Sequence, residues 1–137
     1  MMKMTHFSVI ALMALGTTAM AEGDAGKGED DFKKCRSCHT IANGDEVIYK
    51  GGRTGPNLYN VMGRAAGTED FKYSSDLIDA GANGLVWTEE LMVQYIADPT
   101  AFLREVTGNG SARSKMTFKM KGGEDVAAYL ASVSPGS

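Results

Sequence analysis

Residues 35–39 read Cys35-Arg36-Ser37-Cys38-His39, and no other segment of the 137-residue chain narrows its possibilities as far. The segment contains both cysteines and one of only two histidines. Cys-x-x-Cys-His is the attachment sequence of a c-type haem. Two thiols three residues apart on a helical turn can add to the two vinyl groups of a porphyrin, and the adjacent imidazole then lies under the iron. A redox-active disulfide of the thioredoxin type belongs beside a βαβ pattern, which is not visible here. A structural zinc needs four ligands, and two cysteines with one histidine supply three.

That histidine count holds only for the exported chain. Met1 to Ala21 carries Lys3 and no acid, an apolar run from Phe7 to Leu15, and then Ala19-Met20-Ala21. A charged start, a short apolar core and small-x-small before a polar segment describe a secretory leader cleaved after Ala21. The run is too short to span a bilayer. Cleavage removes His6, leaving His39 as the single histidine of one domain, 22–137, and places the product in the periplasm. Without Lys3 the formal net charge moves from −3 to −4, which argues against nucleic acid as a partner. Glycine is about twice as frequent as in average proteins, giving a loop-rich chain with a lean core.

The pattern predicts an all-α fold of short helices. The first spans Asp24 to Arg36, capped by Asp24, with Gly28 permitting close approach by another helix. Asn43 to Asn57 reads as a long loop. Short helical pieces are expected at Leu58–Met62 and Ser75–Ala80, the latter stopped by Gly81. Thr88 caps a helix to Ala97 with Glu89 and Glu90 at its positive end. Asp98-Pro99 can open another. Thr107 to Lys115 is a Gly- and Ser-rich loop, and Glu124 to Val133 closes the chain as a helix.

A haem iron bound by His39 has a second axial position to fill. An open position would make a haem enzyme or gas sensor, and a filled one an electron carrier. Methionine is the natural sulfur ligand, and Met62, Met92, Met116 and Met120 remain after the leader is removed. Met62 and Met92 fall within expected helices and read as core. Met116 and Met120 follow the flexible loop, and the residues alone do not separate them.

The sequence resembles the class I cytochromes c, the bacterial cytochrome c2 and c550 group above all, over nearly all of the mature chain. The resemblance rests on Gly23-Asp24-Ala25 with Gly28 and Phe32, Cys35-x-x-Cys38-His39, Thr54-Gly55-Pro56-Asn57-Leu58, and Gly63-Arg64. It continues through Phe71-Lys72-Tyr73, Trp87, Tyr95 with Asp98-Pro99, Lys115-Met116-Thr117-Phe118-Lys119, and Ala128-Tyr129-Leu130. It implies one haem c held covalently by Cys35 and Cys38, with His39 and Met116 as axial ligands and Met120 as a packing residue. It further implies that the Pro56 carbonyl accepts from His39 Nδ1. Arg64, Tyr73 and Trp87 would serve the haem propionates, and Tyr95 would sit near the Met116 sulfur. Gly28 and Phe32 would meet Tyr129 and Leu130. Compared with the mitochondrial pattern, Ala42–Arg53, Ala80–Val86 and Phe102–Ser114 are longer.

The implied function is one-electron carriage with no catalytic residue. The donor would be a quinol-oxidising cytochrome bc complex, and the acceptor a photosynthetic reaction centre, terminal oxidase or other reductase. Lys33, Lys34 and Arg36 flank the attachment site, Lys72 lies in a matched segment, and Arg113, Lys115, Lys119 and Lys121 surround Met116. These cations would form a positive rim that steers transient docking of a monomer to acidic membrane complexes.

Overall fold

The computed structural model describes residues 23–136, so the expected leader lies outside the described residues. Five helices and one small hairpin surround a central cavity. Among the described residues no helix is long and apolar enough to cross a membrane.

Helix α1 (Ala25–Asp31) begins where Asp24 adopts extended backbone and its carboxylate accepts from Lys27 N at 3.1 Å. The chain then tightens into a 3-10 turn, Phe32–Lys34, instead of continuing as α-helix to Arg36. Helix α5 (Glu124–Ser132) packs directly across α1. Gly28 is the contact point: a Cβ there would overlap the Asp125 carbonyl and come within 2.8 Å of the Tyr129 Cβ. Asp24 N donates to Asp125 Oδ1 at 2.7 Å, and the Phe32 ring, fully buried, lies 5.7 Å from that of Tyr129.

The first part of the segment expected to be an irregular loop, with the two residues before it, forms a two-stranded antiparallel hairpin, β1 (Ile41–Asn43) and β2 (Glu46–Tyr49). Asn43 pairs with Glu46, so the connection is Gly44-Asp45, with Gly44 at φ 57° as a tight hairpin turn demands. Ile41 and Tyr49 turn inward, and the Tyr49 ring meets that of Phe32 edge-on at 4.8 Å. The Asn57 side chain holds the hairpin by bonding both the N–H and the carbonyl of Ala42.

Leu58–Met62 forms turns, not the expected helix. Two of its N–H groups are taken by the distant C-terminus: Asn60 N donates to the Val133 carbonyl at 2.9 Å and Met62 N to Ser134 Oγ at 3.1 Å. Helix α2 (Ser75–Ala82) runs through Gly81 instead of stopping there. The Gly81 Cα lies against the Ala66 carbonyl, where a side chain would not fit. Helix α3 (Glu89–Ala97) is capped by Thr88, and α4 (Pro99–Thr107) by Asp98 with Pro99 in its first turn. Trp87, Tyr95 and Phe102 join α3 and α4 in one aromatic cluster, centroids 5.0–6.0 Å apart.

Candidate haem site

The 3-10 turn passes into Cys35, whose carbonyl accepts from Cys38 N at 3.1 Å and His39 N at 3.0 Å. This tight turn brings Cys35, Cys38 and His39 to one wall of a cavity of about 340 Å³. The thiols are not bridged to each other; Cys35 is half-buried and Cys38 exposed. Burial, reinforced by Asp31 and Cys38 against the opposing pull of Lys34, pushes the Cys35 thiol up to about 11.

His39 is 8% exposed, and its Nδ1 donates to the Pro56 carbonyl at 2.8 Å. Burial holds its pKa below the ordinary imidazole value, against the upward effect of the Pro56 bond. The ring is therefore neutral with its proton assigned to Nδ1, leaving Nε2 as the nitrogen with a free lone pair. Gly55 makes this packing possible. A Cβ there would lie within 2.5–2.9 Å of three His39 ring atoms, and Gly55 N donates to the Cys38 carbonyl at 2.8 Å.

A second stretch of wall is the Ser114–Phe118 segment, with Met92, Tyr95 and Ile96 from α3 also lining the cavity. Ser114 ties the segment to the helices. Its Oγ accepts from Met116 N at 3.1 Å and pairs with Tyr95 Oη at 2.9 Å, and its N donates to Thr100 Oγ1 at 3.2 Å. Arg113 N donates to Asp76 Oδ2 at 2.9 Å, securing the loop end to α2. Of the four methionines, Met116 and Met92 line the cavity. Met120 is turned elsewhere, its N bonded to the Ile96 carbonyl at 2.7 Å, and Met62 is buried in a turn away from it. Met92 is buried as expected of a core residue, but its position on the cavity wall was not anticipated. Its spacing of three from Tyr95 places both on one face of α3.

Arg64, Tyr73 and Trp87 all line the cavity. Arg64 is heavily engaged within the protein: Nη1 bonds Glu69 Oε2 at 2.8 Å and the Tyr59 carbonyl at 3.4 Å, and Nη2 the Asn57 carbonyl at 3.1 Å. Its charge is thus shared with Glu69, a partner the sequence reading did not assign. The Tyr73 hydroxyl accepts from Glu69 N at 3.2 Å, which leaves its own proton to donate. Burial raises its pKa, and that of the more enclosed Tyr95 for the same leading reason, so both are neutral donors at pH 7. Trp87 is buried, its ring 5.0 Å from that of Tyr95 and 6.0 Å from that of Phe102.

The basic residues are exposed at Lys33, Lys34, Lys72, Lys115, Lys119 and Lys121. Lys115 Nζ donates to the Lys72 carbonyl at 2.9 Å, joining two of these segments. Lys119 is not an isolated cation, because its ammonium pairs with Asp98 at 3.3 Å. Both partners are well exposed, so the pair is weak and yields to salt.

Two thiols three residues apart, an unprotonated imidazole nitrogen, a thioether and a largely apolar cavity form a donor set that fits a covalently held haem. Among the described residues no group of three or more His, Cys, Asp or Glu could hold a bare metal ion. Fold and donor set together define a class I c-type cytochrome. The chain is 53% identical to cytochrome c-551 of Roseobacter denitrificans over 94% of each chain, and 44% identical to cytochrome c-550 of Paracoccus versutus over 98% of this chain and 91% of that one. The cytochrome c2 structure from Rhodobacter capsulatus superposes with a TM-score of 0.79 at 54% identity, covering 81% of this chain and 98% of that one. No family model matches the chain. It belongs to the bacterial cytochrome c2, c-550 and c-551 family, and is accordingly an electron-transfer protein rather than an enzyme, with haem c as its implied cofactor.

Proposed function

We propose that this chain is a soluble periplasmic one-electron carrier holding a single haem by thioether bonds from Cys35 and Cys38, with His39 and Met116 as the axial ligands. The observation that carries the reading is the His39 Nδ1 to Pro56 bond inside a cavity that Cys35, Cys38 and Met116 also line. When bound, the haem supplies a one-electron Fe(III)/Fe(II) couple. Pro56 fixes the ring orientation of His39 and raises its donor strength. The Ser114 bonds hold the Met116 backbone. The apolar wall excludes water, which disfavours the more highly charged oxidised state. Tyr73, Trp87 and the remaining donors of Arg64 would face the propionates, which as anions need partners where water is scarce.

The cations at Lys33, Lys34, Arg36, Lys72, Lys115 and Lys121 support transient docking to acidic faces of membrane redox complexes, with a cytochrome bc complex as donor and a reaction centre or terminal oxidase as acceptor. Lys119 joins them when salt or a partner displaces Asp98. Export with cleavage after Ala21 predicts an intact mass for the haem-bearing product whose polypeptide starts at Glu22, measurable by mass spectrometry.

The functional test pairs the purified holoprotein with such complexes in stopped-flow experiments. The Debye length falls from about 30 Å at 0.01 M salt to about 8 Å at 0.15 M. Electron-transfer rates are expected to fall on the order of tenfold over that interval and beyond, within the range ascribed to steering. Rates indifferent to salt would remove the electrostatic docking. A reduced pigment that readily bound carbon monoxide would instead favour an open iron position and the enzyme or sensor reading.

A further inference from the structure

Glu69 does not line the cavity, yet it holds two residues that do. Its carboxylate meets Arg64 Nη1 at 2.8 Å, and its amide N–H donates to the Tyr73 hydroxyl at 3.2 Å. The side chains of Arg64 and Glu69 are 16% and 36% exposed, so the pair sits at the rim, in partial contact with solvent. A pair so placed adds little to folding stability, because solvent screening and side-chain ordering offset most of its attraction. Its electrostatic effect on the cavity is another matter.

Arg64 presents a permanent positive charge at the cavity wall, since a guanidinium keeps its proton in proteins. An oxidised iron centre carries one more positive charge than a reduced one, so an uncompensated guanidinium favours reduction. A carboxylate in hydrogen-bond contact with that guanidinium cancels much of the field, and the wall then acts as a near-neutral pair. Two carbonyl bonds from Tyr59 and Asn57 keep Arg64 in place independently of Glu69. Removing the carboxylate charge therefore exposes the guanidinium's field without releasing the guanidinium.

We propose that Glu69 is a redox-tuning residue, a counter-charge that acts through Arg64 to hold the reduction potential below the value Arg64 alone would set. The inference rests on the reading of the cavity as the haem site. It is tested on the holoprotein by potentiometric titration of Glu69→Gln and Glu69→Asp beside the parent, with the absorption spectrum and thermal midpoint of each recorded. Gln keeps an acceptor oxygen of the same reach and removes the charge; Asp keeps the charge on a shorter arm. The expected result is a raised potential for Glu69→Gln and a near-parental one for Glu69→Asp, with spectra and thermal midpoints unmoved. Equal potentials in the parent and Glu69→Gln overturn the proposal while an intact haem spectrum leaves the site reading standing. Equal shifts in both variants also overturn it, because they assign Glu69 a steric role in place of an electrostatic one. A parent protein without a haem spectrum would instead defeat the site reading itself.

Discussion

Replacing Met116 by alanine is expected to lower the reduction potential by on the order of 0.2 V, a quarter of the about 0.8 V range that axial ligands command. A thioether is a soft ligand that favours Fe(II), and water in its place favours Fe(III). For one electron, about 59 mV is a factor of ten in equilibrium constant, so the change is worth three to four decades against accepting an electron. The same variant should lose the sulfur-to-iron charge-transfer absorption and, when reduced, bind carbon monoxide. Met92→Leu is the informative control, because Met92 also lines the cavity and the swap conserves volume. Met92→Leu and Met120→Leu should both keep the absorption and stay near the parental potential. If Met116→Ala keeps the absorption and Met92→Leu loses it, the sulfur comes from α3 and the ligand assignment is wrong.

Local features of this fold were legible in the sequence wherever the interaction partner is also local. Asp24, Thr88 and Asp98 were readable as caps because each bonds an N–H three residues ahead. Gly28 pointed to a close helix contact because a glycine in mid-helix costs stability that a close approach can offset, although Gly26 in the same helix makes no such approach. The hairpin was hidden by its short strands and the glycines around it, although Val47-Ile48-Tyr49 beyond Gly44-Asp45 carries the strand signal. The turns at Leu58–Met62 could not be foreseen, since two of their N–H groups, those of Asn60 and Met62, bond residues 72 or more positions away.

The site divides in the same way. Cys35, Cys38 and His39 are one contiguous motif, and spacing alone carries their chemistry. Choosing Met116 over Met120 required the family resemblance, because the two lie on one short segment and differ in which way the tertiary fold turns them. Glu69 had no signal at all: five residues from Arg64 in irregular chain, the pair matches neither helical nor strand periodicity.

The largest stability loss should come from Gly28→Val. Valine is the better helix former by roughly 0.5 kcal/mol, which acts in favour of the variant. Against it, the new Cβ would overlap the Asp125 carbonyl, a backbone atom with no rotamer to escape into. Overpacking costs about 1–3 kcal/mol where side chains can adjust, and here the helices themselves must separate. Separation also loosens the Phe32–Tyr129 ring contact, a type of pair worth about 0.5–1.5 kcal/mol. The net loss should reach about 2–4 kcal/mol, a fall in thermal midpoint on the order of 10–15 °C for a domain of this size. Gly26→Ala provides the contrast within the same helix. Its added Cβ meets only the Asp24 carboxylate oxygen at 3.2 Å, so it should be neutral or stabilise by up to about 1 kcal/mol. Thermal melts of the two holoproteins decide the matter: if Gly28→Val and Gly26→Ala melt alike, α1 and α5 do not depend on the close approach at residue 28.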